Sequence, residues 1–186
     1  MSLLSDINTV KCLLDEEELL LQLAEEAGEL ADAVIDYGHN RGSVADQMDV
    51  YDTYSEKVLE EMADIELVAT TLLSQEEIRD IVVTINRPEN NDPIVKQYIT
   101  DLFIYKFSRI CLDVVKNSMK LRRAKNGKNP TPISAEEART NLYRSIKAVM
   151  IFSRRMTAAL DGRGVIIRTS NEKATRWVDR LTNGIK

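Results

Sequence analysis

Two short stretches of the chain place carboxylates inside otherwise apolar helical patterns. One stretch reads LAEEAGELADAV and holds Glu26 and Glu29 three residues apart, and the other reads VLEEMADIEL and holds Glu61 and Asp64 at the same separation. Residues three apart share one face of a helix. If the two helices pack side by side as an antiparallel pair, all four carboxylates meet in one partly buried place.

Such a group of acids could bind a divalent cation. Carboxylates that meet in a partly buried place repel each other and raise each other's pKa unless a cation joins them. Oxygen ligands of high charge suit a hard ion, so the spacing is consistent with a site for Mg²⁺, with Mn²⁺ as the substitute. A di-iron site of the ferritin type would need Glu-x-x-His motifs, and the single histidine, His39, lies in an expected loop. The alternative is two solvated helix faces, because short acidic motifs are common on helices.

The elements that must position these acids are helices. The chain has 186 residues, 44% of them apolar, with only seven glycines and four prolines, and apolar residues recur at a spacing of three and four. The pattern predicts an all-α helical bundle of about six helices and no strand. The β-branched segment VIIRT is isolated, and one short strand would have nothing to pair with.

In the first half of the chain, capping signals set the expected helix starts. Asp15 and Glu18 have capping-box spacing and begin a helix that runs to about Tyr37. A second helix carries SEKVLEEMADIELVATTLL. Ser74 and Glu77 form another capping box and open a third helix.

In the second half, a linker reading NRPENNDP precedes a long helix. Asp92, followed by a proline, begins this helix, which runs to about Lys125. Ser134 caps the next helix, which ends near Leu160 at the DGRG break. Ser170 precedes a last helix that carries NEKATRWVDRL.

The two halves resemble each other in their apolar pattern. An offset of 84 residues aligns them without a gap and places, for example, Leu30 on Val114. We interpret the chain as a single domain, residues 1–186, built from two helical hairpins related by duplication. Unit 1, about residues 1–87, carries the acids, and unit 2, about residues 93–186, is the second copy.

The second copy has lost most of the acids. Three of its four corresponding positions hold no carboxylate, so we expect unit 2 to be a degenerate copy without a metal. The pairs are Ile110 with Glu26, Asp113 with Glu29, Ser145 with Glu61, and Ala148 with Asp64.

The motif Glu-Glu-x-x-Glu at 25–29, followed by Glu-x-x-Asp at 61–64, resembles the signature of the MazG-like all-α nucleoside triphosphate pyrophosphohydrolases. That superfamily includes dimeric dUTPases, dCTP pyrophosphatases and phosphoribosyl-ATP pyrophosphohydrolases. The motif-bearing resemblance covers roughly residues 16–73. The later stretch KLRRAKNGKNPTPISAEEARTNL is similar to the hairpin of bacterial and phage members, and the two-unit plan resembles that of some dimeric dUTPases.

The resemblance implies Mg²⁺-dependent hydrolysis of a nucleoside triphosphate to the monophosphate and pyrophosphate. It implies that Glu26, Glu29, Glu61 and Asp64 are the metal ligands and the catalytic residues, and that the protein is a homodimer. A deoxyribonucleotide is the expected substrate by analogy, and phosphoribosyl-ATP stays open. The alternative from another class is a catalytically inactive helical module for binding or assembly.

A triphosphate also needs cationic side chains. Lys116, Lys120 and Arg123 lie on one stripe of the long helix of unit 2, and we predict Lys120 and Arg123 as substrate contacts. The alternative for these residues is a solvated face that keeps the protein soluble.

Composition argues against several other kinds of partner. The net charge is −5 and no basic arm appears, so nucleic acid is not expected as a partner. No apolar run approaches membrane-spanning length, and the start of the chain has no signal-peptide pattern. Cys12 and Cys111 form no disulfide framework and no metal-ligand spacing, so a reducing, cytoplasmic location is expected.

Overall fold

The described part of the chain forms seven helices. The computed structural model describes residues 3–40, 48–87, 99–128, 130 and 132–183. The helices are α1 (Leu3–Leu13), α2 (Glu16–Asn40), α3 (Met48–Leu72), α4 (Gln75–Ile85), α5 (Asp101–Lys125), α6 (Ala135–Ala159) and α7 (Arg163–Asn183). These residues include no strand, so the all-α prediction is confirmed, with seven helices instead of about six. None of the described helices is long and apolar enough to cross a membrane.

Short-range hydrogen bonds at the helix starts follow the capping signals of the sequence. The Glu18 amide donates to Asp15 Oδ1 at 2.8 Å, and the Asp15 amide donates to Glu18 Oε2 at 3.0 Å. Ser74 and Glu77 form the same reciprocal pair at the start of α4. Ser134 accepts a hydrogen bond of 3.0 Å from an amide in the first turn of α6. These bonds satisfy amides that the helices cannot pair internally.

Four helices of 25 residues each form the centre of the molecule. Helix α2 packs on α3 and α5, and α6 packs on α5 and also on α3, so the four helices enclose one core. Each contributes fully buried side chains, for example Leu23, Met62, Phe107 and Ile146. Helices α1 and α7 pack on α3, and α4 packs on α6.

The two hairpins bury equivalent positions. At the offset of 84 residues, eleven buried residues of the first hairpin correspond to buried residues of the second, whereas others, such as Leu19 and Phe103, do not match. The matched pairs are Leu20 with Ile104, Leu23 with Phe107, Ala27 with Cys111, Leu30 with Val114, Val34 with Ser118, Tyr37 with Leu121, Val58 with Leu142, Met62 with Ile146, Ile65 with Val149, Ala69 with Ser153, and Leu73 with Thr157. The shared register supports the two-unit interpretation, and the duplication itself stays a prediction.

Helix α7 begins earlier than the sequence predicted. It starts at Arg163 instead of after Ser170, and it contains the whole VIIRT segment. The tight turn before it has Asp161 at φ 51° and brings the backbone of Gly162 against α3. A Cβ added at Gly162 would lie 2.2 Å from Leu59 Cδ2, so any larger residue would require the buried Leu59 side chain to shift.

Helix α1 was not predicted and lies beside α7. Its Ile7 packs with Leu67 of α3 and Ala174 of α7 in a small apolar cluster. Helix α5 begins at Asp101, with Thr100 as its cap. The predicted start at residue 92 lies outside the described residues.

Candidate metal centre

The antiparallel packing of α2 and α3 brings three of the four predicted ligands together. Lys57 Nζ lies 3.9 Å from Asp36 Oδ2, which pairs the end of α2 with the early part of α3. The alignment of the two antiparallel helices that brings Lys57 next to Asp36 also places their acidic motifs side by side. Carboxylate oxygens of Glu26, Glu29 and Glu61 lie within 4.8 Å of one another. This is close enough for one cation to contact all three side chains.

Partial burial shapes the electrostatics of this cluster. Glu26 and Glu61 are half-buried, whereas Glu29 is exposed. Burial is the main cause that raises the pKa of Glu26, and the negative charge of Glu29 adds to it. A hydrogen bond from Gln22 Nε2 to Glu26 Oε1, 2.5 Å long, and the charge of Lys173 act in the opposite direction. Burial also raises the pKa of Glu61, followed by repulsion from Glu29.

One oxygen in the cluster is left without a hydrogen-bond donor. Glu61 Oε2 is buried and accepts no hydrogen bond from any described residue. A buried carboxylate oxygen without a partner is costly in free energy. A bound cation would remove that cost, and three carboxylates supply the oxygen ligands that Mg²⁺ and Mn²⁺ prefer. The residues present therefore fit the predicted metal.

The fourth predicted ligand, Asp64, has a different partner. Its side chain is only 4% exposed, and its Oδ2 forms an ion pair with Lys173 Nζ of α7. A buried carboxylate of this kind needs a cation beside it, and here a side chain supplies it. Asp64 borders the same cavity as Glu26. The structure thus places Asp64 next to the cluster, with its charge balanced by Lys173.

A polar cavity of about 390 Å³ opens beside the acids and is walled by α2, α3 and α7. Its lining residues are Gln22, Glu25, Glu26, Asp64, Lys173, Arg176, Trp177 and Arg180. The acids come from the hairpin, and the cations all come from α7. Lys120 and Arg123, the predicted substrate contacts, lie on α5 and are not among the lining residues. The cations that line this cavity, Lys173, Arg176 and Arg180, were therefore not predicted from the sequence.

A signal for these cations was present in the sequence. Lys173, Arg176, Trp177 and Arg180 follow i, i+3, i+4 and i+7 spacing in the segment NEKATRWVDRL, which places them on one face of a helix. From the sequence, this segment was predicted only as a last helix, and no role was assigned to its cations. Trp177 does pack against the core while it also borders the cavity. Only the tertiary position of α7 shows that the stripe faces the acids.

Other basic residues at the end of α5 serve packing. Arg122 Nη2 lies 2.5 Å from Glu17 Oε1, and Lys125 forms an ion pair with Glu16. Both pairs join the end of α5 to the start of α2. These two residues therefore have a structural role, because their ion pairs join α5 to α2.

The equivalent surface of the second hairpin carries no comparable acidic cluster among the described residues. Ile110, which corresponds to Glu26, packs against the core. Asp113 lies 3.9 Å from Lys116 in its own helix. Ser145 accepts a hydrogen bond of 2.7 Å from Asn117 Nδ2. The absence of a metal from unit 2 stays a prediction.

Comparisons with known proteins do not assign the chain to a family. No family model, no curated protein and no solved structure matches it. The geometry of the acids and the motif resemblance are therefore the basis for a functional proposal.

Proposed function

We propose that the chain is a Mg²⁺-dependent nucleoside triphosphate pyrophosphohydrolase that releases the monophosphate and pyrophosphate. The observation that carries the proposal is the convergence of Glu26, Glu29 and Glu61 on one place, with one buried oxygen of Glu61 unpartnered. The order and spacing of these acids resemble the motifs of the MazG-like superfamily. Buried carboxylate oxygens usually have a donor or a cation beside them, so the unpartnered Glu61 Oε2 favours a bound metal over a solvated helix face.

In this proposal, Glu26, Glu29 and Glu61 hold the metal, and Gln22 fixes the orientation of Glu26 through its 2.5 Å hydrogen bond. A bound Mg²⁺ neutralises phosphate oxygens and lowers the pKa of a water molecule. A carboxylate oxygen of the cluster that does not bind the metal would be available as a general base. Asp64 is the adjacent fourth carboxylate of the motif, and Lys173 balances its charge through an ion pair.

The test is a screen of nucleoside triphosphates with Mg²⁺ in which both pyrophosphate and monophosphate are measured. The screen includes canonical and modified deoxyribonucleotides, ribonucleotides and phosphoribosyl-ATP. We expect equimolar pyrophosphate and monophosphate from at least one of them, and no release of orthophosphate. A protein that binds Mg²⁺ yet releases no pyrophosphate from any of these compounds would instead be the non-catalytic binding or assembly module.

The two hairpins offer a matched pair of variants. Glu29→Gln removes a carboxylate from the cluster, and Asp113→Asn removes the carboxylate at the equivalent position of unit 2. Loss of one metal ligand commonly lowers the rate by orders of magnitude, because the metal acts on charge that develops in the transition state. We expect a fall in kcat of at least about a hundredfold for Glu29→Gln and wild-type kinetics for Asp113→Asn. Equal effects of the two changes would contradict the assignment of the site to unit 1.

The proposal includes a homodimer in the cytoplasm. The dimer is supported by three exposed apolar residues on one face of α5, Leu102, Tyr105 and Leu112, which are 58%, 61% and 49% exposed and have the exposed Arg109 among them. Such a face suits a contact with a second copy. We expect light scattering at micromolar concentration to give the mass of a dimer and Tyr105→Glu to give the mass of a monomer. A monomeric wild type would refute this part of the proposal.

A further inference from the structure

Helix α7 presents a cationic face to the acids of α2. Lys173, Arg176 and Arg180 are spaced at i, i+3 and i+7 and all border the 390 Å³ cavity. The position of this face is fixed, because Ala174 and Val178 on the neighbouring face of α7 are buried. The cavity therefore has an acidic wall and a basic wall held by separate helices.

The three cations differ in whether they already have a partner. Lys173 is paired with Asp64. Arg176 and Arg180 form no ion pair or hydrogen bond with another described residue, although both border the cavity. Two guanidinium groups are therefore free to bind an anion that enters. Guanidinium groups suit phosphate in particular, because their paired N–H donors match its oxygens.

We propose that Arg176 and Arg180 bind the polyphosphate of the substrate and, after the reaction, the released pyrophosphate. The inference rests on the proposed function for the identity of the ligand. Glu26, on α2, and the two arginines, on α7, line the same cavity, so a polyphosphate bound there would lie beside both the acidic cluster and the guanidinium groups. The volume of about 390 Å³ lies at the lower end of the range for small-molecule sites, which begins at about 300 Å³. Inorganic pyrophosphate is small enough to test the subsite alone.

Titration calorimetry of the full chain with inorganic pyrophosphate, at a fixed excess of Mg²⁺ and at two temperatures, tests the subsite directly. The variants are Arg176→Gln and Arg180→Gln. Arg168→Gln is the matched control, because Arg168 is an exposed arginine of the same helix that does not border the cavity. We expect each of the two cavity variants to weaken binding about tenfold, the lower end for one charged hydrogen-bonding group, and the control to stay within about twofold.

The single tryptophan of the chain supplies a local readout. Trp177 borders the same cavity, so its fluorescence should change along the same binding curve, and the midpoint should shift with Arg176→Gln and Arg180→Gln. Equal affinities for all three variants, or no binding by the wild type at millimolar pyrophosphate at either temperature, would overturn the inference. Melting temperatures of the variants verify that the exposed substitutions leave the fold intact.

The inference and the proposed function fail in different ways. Hydrolysis with wild-type KM in Arg176→Gln and Arg180→Gln would overturn the arginine subsite and leave the enzyme proposal standing. Arginine-dependent binding of pyrophosphate without hydrolysis of any triphosphate would leave the subsite and overturn the enzyme proposal. If both hold, the two substitutions raise KM for the triphosphate by a factor similar to the loss in pyrophosphate affinity.

Discussion

Replacing Glu61 by glutamine should have opposite effects on the protein with and without metal. In the absence of metal, Glu61 is held near Glu26 and Glu29, and burial and their charges raise its pKa. Glutamine keeps the shape of the side chain and removes its charge. We therefore expect Glu61→Gln to be more stable than the wild type in a chelator and to lose most of the stabilisation that Mg²⁺ confers.

The magnitude without metal follows from Coulomb's law. At the outer limit of 4.8 Å between the carboxylate oxygens, two like charges repel by about 0.9 kcal/mol in water and about 3.5 kcal/mol at an effective dielectric constant of 20. The lower figure is the better guide, because Glu29 is exposed and Lys173 offsets part of the repulsion on Glu61. Protonation sets a ceiling of about 3.4 kcal/mol at pH 7, because 2.5 pH units lie between pH 7 and the usual value of 4.5.

A gain of about 1 kcal/mol corresponds to a rise in Tm of about 2–4 °C for a domain of this size. The rise should depend on pH. A carboxyl whose pKa is raised by folding has its full stability below its unfolded pKa and loses stability as pH rises through its folded pKa. The difference between Glu61→Gln and the wild type should therefore be near zero below pH 4.5 and should grow toward pH 7.

Metal reverses the order of the two proteins. A ligand at a hundred times its Kd stabilises a folded protein by about 2.7 kcal/mol, which raises Tm by roughly 5–10 °C here. We expect this shift in the wild type and no more than about a third of it in Glu61→Gln, because binding weakened at least about a hundredfold leaves little stabilisation at the same concentration.

Differential scanning calorimetry in chelator and in millimolar Mg²⁺, at pH 4 and pH 7, measures both the difference in Tm without metal and the shift in Tm that Mg²⁺ causes. Glu60→Gln is the matched control, because Glu60 is an exposed neighbour that points about 100° away on the same helix. We expect the control to behave like the wild type in both solutions. A lower Tm for Glu61→Gln than for the wild type in chelator at pH 7, or an undiminished Mg²⁺ shift, would refute the reasoning.

Three further predictions concern the scaffold. Gly162→Ala should lower the free energy of unfolding by about 1–3 kcal/mol, measured in urea, because its Cβ would lie 2.2 Å from Leu59 Cδ2; an unchanged urea midpoint would contradict this close approach. Ser134→Ala should cost about 1 kcal/mol in the same assay, because it removes the cap of α6, and Ser134→Asp should restore most of it. A thiol reagent at pH 8 should modify Cys12, which is exposed, and not Cys111, because burial raises the pKa of Cys111 to about 12; two rapidly reacting thiols in the native protein would count against the core.

The elements that the sequence predicted well are those that local chemistry determines. The starts of α2, α4 and α6 follow from caps at Asp15, Ser74 and Ser134, where side chain and backbone pair within one turn. The start of α7 depends on distant contacts instead. The β-branched VIIRT segment has a low intrinsic preference for helix, and its helical form follows a turn whose Gly162 packs on Leu59 of α3. The sequence around residue 163 does not predict that contact.

The candidate site also has one part that local sequence signals predict and one part that depends on distant contacts. The i, i+3 spacing within each helix and the antiparallel hairpin are local enough to predict that Glu26, Glu29 and Glu61 converge. The partner of Asp64 is not, because Lys173 belongs to a helix distant in sequence that reaches α3 only through tertiary packing. A pattern of acids predicts that cations are needed, but it does not say which helix provides them.

The architecture gives a reason why α7, and not the second hairpin, walls the cavity. Helix α5 packs on α2 and α6 packs on α3, each with the face that carries the repeated buried positions, and this packing completes the core. The lining of the cavity contains residues of α2, α3 and α7 and none of α5 or α6. The second hairpin packs on one side of the first hairpin and fills the core there. The acids of α2 and α3 therefore have to be covered by a different helix. In the described part of the chain that element is α7, packed on α3 with Arg176 and Arg180 on its cavity side. If the second hairpin is a duplicate of the first, it can lack the acids without disturbing the site, provided that it keeps the apolar positions that pack against α2 and α3.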